Sequence, residues 1–132
     1  MILGFKDRFV PFVEDGSKRH TVRDGKRWRS GMRADLFAKV RQKGMRLIFR
    51  APVVRVQDIT ISHDGIALAV TVCNEPLDAG EMDLFFHRDG FRDPMSTSRS
   101  QAAAFWAKKL EGGRVFDGQI IHWDFERRTH DA

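Results

Sequence analysis

A single cysteine, Cys73, four prolines and no tyrosine occur among the 132 residues. One thiol can form neither an internal disulfide nor a thiolate cluster, so disulfide scaffolds and cysteine-rich zinc modules are excluded. Cys73 lies in an apolar alternating run and is expected to be a small buried hydrophobe in a reducing, cytoplasmic setting. The histidines, His20, His63, His87, His122 and His130, show no metal-ligand spacing, so neither a metal nor a cofactor is expected. No glycine-rich phosphate loop with its Lys-Ser/Thr and no G-x-S-x-G elbow is present. No apolar stretch approaches the roughly 20 residues needed to cross a bilayer. The opening Met1-Ile-Leu-Gly-Phe5 meets Lys6, Asp7 and Arg8 too soon for a secretion signal. A soluble, unexported chain with no membrane partner is the expectation.

Charge, by contrast, is abundant and unevenly placed. The net charge is +5, but residues 1–55 hold 15 Lys or Arg against 5 Asp or Glu, and residues 56–132 hold 8 against 13. A +10 first half and a −5 second half suggest a polyanion-facing surface built mainly by the first half. The densest stretch holds Lys18, Arg19, Arg23, Lys26, Arg27, Arg29 and Arg33, opposed within it only by Asp24. Taken alone, such a run also describes a solvated basic face.

Periodicity supplies the elements. Residues 1–5 suit a short strand. Phe9, Phe12 and Val13 at i, i+3 and i+4 predict a two-turn helix over Asp7–Asp15, with Asp7 as cap and Gly16 past its end. His20-Thr21-Val22-Arg23 reads as a strand with Thr21 and Arg23 on one face. A loop over residues 24–31 is followed by strands at 36–40 and 46–49. The run from Val53 to Ile61 changes phase near Gln57 and Asp58, which predicts a bulge, and pairs with 66–72 across a His63-Asp64-Gly65 turn. Ser98 and Gln101 form a capping-box pair ahead of a helix closed by Gly112, and a last strand spans Gln119–Phe125. No repeat, linker or low-complexity segment interrupts residues 1–132, so one domain is expected. Short, mainly antiparallel strands with a helix near each end exclude a parallel α/β fold. The expected class is α+β, a small mixed, mainly antiparallel β-barrel flanked by two or more helices.

Phe9, Gly16, Lys18, Thr21 and Arg23 form the string F-x(6)-G-x-K-x-x-T-x-R, which resembles the opening signature of ASCH domains. Gly31 starting a strand after a basic loop, Asp89-Gly90-Phe91 before a helix, and the closing Phe116-Asp-Gly-Gln-Ile-Ile-His-Trp123 follow in the order that family shows. The resemblance spans nearly the whole chain. It implies a PUA-like barrel with a cleft near the first helix and the strand carrying Thr21. It also implies a partner that is RNA or a nucleoside. Some small bacterial members resemble amidohydrolases acting on N4-acetylcytidine, and nuclease activity has been proposed in the group. Carried over by position, the resemblance places Lys18, Thr21 and Asp89 in the catalytic cleft, with Asp89 where those amidohydrolases carry glutamate.

Amide hydrolysis needs an activated nucleophile, an oxyanion donor and an acid for the leaving amine. Lys18 could take a proton from Thr21 or a water, and Asp89 could protonate the exocyclic nitrogen. Asp is one methylene shorter than Glu, and a displacement of ~1 Å can lose ~100-fold in rate. Arg19, Lys26, Arg27, Arg29 and Arg33 would hold phosphates, and Arg23, on the face of Thr21, would orient a phosphate or a base edge. Trp28, between Arg27 and Arg29, could stack a base or anchor the loop. Trp106 and Trp123 fall on apolar stripes and are expected in the core. A ribonuclease would need a base and an acid at a ribose hydroxyl, roles open to His20 or His122 if they face the cleft, and His87 lies near Asp89. The oligomeric state is left open between a monomer and a weak dimer.

Overall fold

The computed structural model describes residues 1–130. The chain forms two compact units, one built from Met1–Thr21, Trp28–Val56 and Ile121–Ala132, the other from Val22–Arg27 and Gln57–Ile120. Each unit is assembled from separate stretches, so no single linker marks the division.

In the first unit, β1 (Ile2–Phe5) runs parallel to β3 (Arg33–Ala38), with Leu3 opposite Leu36. The beginning of β4 (Arg46–His63) lies antiparallel to β3, with Leu36 opposite Phe49. A register shift between Leu36 and Phe37 absorbs one residue there. Leu3, Leu36, Phe49, Val53 and Ile121 point into one apolar core, each side chain removing about 1.5–3 kcal/mol worth of apolar surface from water. The first helix, α1 (Val10–Glu14), adds Val10 and Val13 to that core. It is shorter than its periodicity predicts. Its N-cap is Phe9, which has no side-chain cap hydrogen bond, and Asp7 lies two residues upstream, outside the helix.

In the second unit, the end of β4 pairs antiparallel with β5 (Leu68–Val72), from Ile59 opposite Val72 to His63 opposite Leu68. The predicted turn is present, with Gly65 left-handed at φ 94° and the Asp64 carboxylate accepting from the Ile66 and Ala67 amides. From Phe49 onward the fully buried positions of β4, Phe49, Ala51, Val53, Ile59 and Ile61, keep one parity, while Ile48, beside the register shift against β3, and the partly buried Val56 fall on the other, and Val54, which suggested the slip, is half exposed.

Cys73 is exposed, contrary to expectation. It sits with Asn74 in a two-residue turn to β6 (Glu75–Pro76), both at positive φ, 49° and 66°. A primed hairpin turn demands that conformation, and it lifts the thiol off the apolar face the alternation pointed to.

A helix that periodicity alone did not reveal, α2 (Ala79–Asp89), follows. Its ends were written in the sequence: Asp78 and Glu81 make a reciprocal capping box, and Gly90 closes it at φ 113°. The apolar face is short, with Phe86 as its one fully buried apolar side chain, and this hid the period. The third helix, α3 (Ser98–Lys109), is capped by Thr97, whose hydroxyl accepts from the Ser100 amide, and not by the Ser98 anticipated. Gln101 instead donates to the Asp93 and Ser96 carbonyls and accepts from the Asp93 amide, pinning the preceding loop. Successive ring contacts, Phe86 with Phe91 at 5.9 Å, Phe91 with Phe105 at 5.6 Å, Phe105 with Trp106 at 5.6 Å and Trp106 with Phe116 at 4.9 Å, tie α2, α3 and the following strand together.

That strand, β7 (Phe116–Trp123), begins three residues earlier than predicted and ends before Phe125, which opens a short 3₁₀ turn, Phe125–Arg127. It pairs with β4 and with β2 (His20–Asp24). The sheet is mixed and mainly antiparallel, and with three α-helices the α+β class holds. Among the described residues the pairings form an open, branched path, and no ladder closes them into the expected ring. Among the described residues, no helix is long and apolar enough to cross a membrane.

Candidate functional site

After α1 the chain turns through Gly16, left-handed at φ 80°, where a Cβ would come within 2.6 Å of the Phe125 ring. The Lys18 amide donates to the Phe12 carbonyl at 2.9 Å, which fixes the approach to β2. This path sends Lys18 inward: it is 2% exposed, with Nζ 5.3 Å from the Phe9 ring centre and 6.0 Å from that of Phe5. An ammonium is costly to bury, and the negative faces of two aromatic rings offset part of that cost. Thr21, on β2, is also buried. Polarity alternation along β2 is therefore not an index of exposure, since His20 on the opposite side is buried too.

Arg19 points the other way. Its Nε donates to the Gly16 carbonyl at 2.6 Å, its guanidinium pairs with Glu126 at 3.1 Å and lies 4.9 Å from the Phe125 ring centre. It clamps the turn that aims Lys18.

In the second unit, Arg23 is half-buried on β2 and Asp89, the last residue of α2, is buried. Burial pushes the Arg23 pKa below that of a free guanidinium, while the negative charge of Asp89 acts in the opposite direction. A glycine lets β7 come close to the backbone of β2 at Arg23. At Gly118 of β7 an added Cβ would overlap the Arg23 carbonyl oxygen and come within 2.6 Å of the Phe116 ring. Sequence reading missed Gly118, although a glycine inside a strand is itself a signal of close backbone approach.

The basic loop disperses. Lys26 donates to Asp58 at 3.1 Å and to the Gly118 carbonyl at 2.8 Å, and pairs with Asp117 at 3.0 Å. Partial desolvation lowers its pKa, but the bonds to Asp117 and Asp58 and their charges outweigh this and raise it. Arg33 pairs with Asp35, which also holds Arg50. Arg27 and Arg29 are exposed. Trp28 is 2% exposed, in the core of the first unit. Its expected role as a base-stacking platform is corrected to the anchor reading, because no ring face is open. Trp106 and Trp123 are buried as expected, and His87 lies exposed in the last turn of α2.

His20 and His122 come together in the first unit, ring centres 5.5 Å apart and tilted by 51°. Burial, and secondarily Arg55, lower the His122 pKa from 6.5. A folded-state value below the unfolded one means stability is full above about pH 6.5 and declines as pH falls toward the folded value. Chemical denaturation at about pH 7.5 and about pH 5.5 should show a larger loss for wild type than for His122→Gln, which cannot titrate; equal losses would remove His122 as the cause.

No family model, curated protein or solved structure matches the chain. Among the described residues, no group of three or more His, Cys, Asp or Glu side chains is placed to hold a metal ion.

Proposed function

We propose that this chain is a cytoplasmic ASCH-type domain of the PUA-like group that binds RNA through a nucleoside, with Lys18 and Thr21 as its ligand-recognising residues. The observation that carries the reading is the burial of Lys18 at 2% exposure. A lysine is among the residues least often fully buried, and perturbed, buried titratable groups concentrate at functional sites. Thr21 and Asp89, assigned by the same resemblance, are buried polar groups as well. A PUA-like barrel belongs to the same proposal. So does the charge distribution: the unit carrying Lys18 and Thr21 holds 14 Lys or Arg against 7 Asp or Glu, while the other holds 9 against 11.

Calorimetric titration with N4-acetylcytidine and with cytidine is the direct test. At least one should bind, and Thr21→Val, which keeps shape but removes the hydroxyl, should weaken binding by ~10-fold, the worth of one buried hydrogen bond. An unchanged affinity would reject the assignment of Thr21.

A buried carboxylate, Asp89, whose charge acts on the half-buried Arg23, favours a second reading, hydrolysis of an acylated nucleoside. Chromatography of N4-acetylcytidine incubated with the protein separates the two. Release of cytidine, lost in Asp89→Asn, supports hydrolysis. Binding with no release supports recognition alone.

A further inference from the structure

The loop from β3 to β4 carries Lys39, Arg41 and Lys43 at every second position, with no acidic residue between Ala38 and Arg46. All three are exposed, and among the described residues none makes an ion pair. The topology sets where they stand. Phe5 pairs in parallel with Ala38, and Ala38 pairs with Arg46, so the loop crosses the end of the sheet where β1 exits into Lys6 and Arg8. The acids closest in sequence to that exit are Asp7, Glu14 and Asp15. Glu14 is already held by Arg46 at 2.9 Å, and Asp15 accepts from the Ser17 amide.

The loop is held in one shape. Val40 presses on Gly4, where a Cβ would lie 2.6 Å from Val40 Cγ2. The Gln42 amide donates to the Lys39 carbonyl, and the Met45 amide to the Gln42 carbonyl. Lys39 and Arg41 adopt left-handed backbone, φ 55° and 62°. Glycine or asparagine is the unstrained choice at such positions, and cations stand there instead.

We infer that this loop is a phosphate-binding surface for a single-stranded phosphodiester chain, extending the proposed recognition of a nucleoside to the polynucleotide that carries it; it rests on that reading. A membrane surface is the poorer fit, because the loop offers no aromatic side chain and its Val40 is turned against Gly4.

Binding of an oligouridylate of about 20 nucleotides, measured by anisotropy across a salt series, tests this. Wild-type affinity should fall steeply with salt. The variant Lys39→Asn/Arg41→Asn/Lys43→Ser keeps residues that tolerate the backbone. It should bind at least ~10-fold more weakly at about 0.1 M salt, with a log–log slope shallower by about 2, the value expected for three lost phosphate contacts on a single strand. Lys43→Glu alone, at a position without positive φ, should also weaken binding and guards against a folding artefact in the triple variant. Nucleoside affinity should not change in either variant. Equal RNA affinity and slope in wild type and variants overturn the inference, as does wild-type binding to phosphatidylserine vesicles but not to RNA. If loop-dependent RNA binding persists while no nucleoside binds, the nucleoside reading fails and the loop surface stands.

Discussion

Gly118→Ala should destabilise the protein by about 3 kcal/mol or more, at the upper end of what overpacking costs, because the atom that must give way is backbone and not a flexible side chain. The added methyl would collide with the Arg23 carbonyl on one side and the Phe116 ring on the other. Neither moves freely: Arg23 lies in β2, and Phe116 packs edge to face against Trp106, ring centres 4.9 Å apart. For a chain of this length the loss should appear as a fall in melting temperature of about 10 °C or more. Lys26 also donates to the Gly118 carbonyl, so the shift should disturb its pairing with Asp58 and Asp117. Gly25→Ala is the matched control. Nothing lies within 4 Å of a Cβ there, so its penalty comes only from the left-handed φ of 81°, about 1–2 kcal/mol. If Gly118→Ala melts no lower than Gly25→Ala, the close approach of β2 and β7 at this point is not as described.

Lys18→Met should leave the fold intact and remove at least ~100-fold of ligand affinity, the worth of a charge-assisted hydrogen bond in a buried setting. Methionine has similar length and packs well against aromatic rings, so the space between Phe5 and Phe9 stays filled. Replacing a buried charge by an apolar group of similar volume is often neutral or stabilising. Denaturation midpoints should therefore stay within about 1 kcal/mol of wild type. The two readouts separate the roles: a residue kept for structure lowers the midpoint, and a residue kept for a ligand lowers affinity with the midpoint unchanged. A variant that binds nucleoside as well as wild type does would sink the proposed role of Lys18.

Legibility in the sequence followed how local each determinant is. The β4–β5 hairpin was readable because alternation and a Gly-containing turn act over neighbouring residues. So was β1, and so were the ends of α2, in Asp78, Glu81 and Gly90, although its weak apolar face concealed the helix between them. The caps of α1 and α3 were misplaced by one or two residues, because several adjacent side chains could cap and packing chose among them. The exposure of Cys73 was not legible, since its alternation matched a strand that a two-residue turn cuts short.

At the candidate site, motif reading selected Lys18, Thr21 and Asp89, and all three are buried. Charge density selected the stretch from Lys26 to Arg33, most of whose members turned out to be held by acids or, for Trp28, by the core. Composition counts cations but not the carboxylates that folding brings to them: Asp58 and Asp117 lie 32 and 91 positions from Lys26.

By itself the amino-acid sequence determined the α+β class, the position of most strands, the excess of positive charge and the short list of polar residues worth placing. Only the tertiary structure decided which of those residues are buried, which cations keep their charge uncompensated, and where a glycine must stand for two strands to meet. The reason is physical. Periodicity and turn chemistry act through near neighbours along the chain, whereas burial and ion pairing depend on groups far apart in sequence that only the folded backbone brings within a few ångströms.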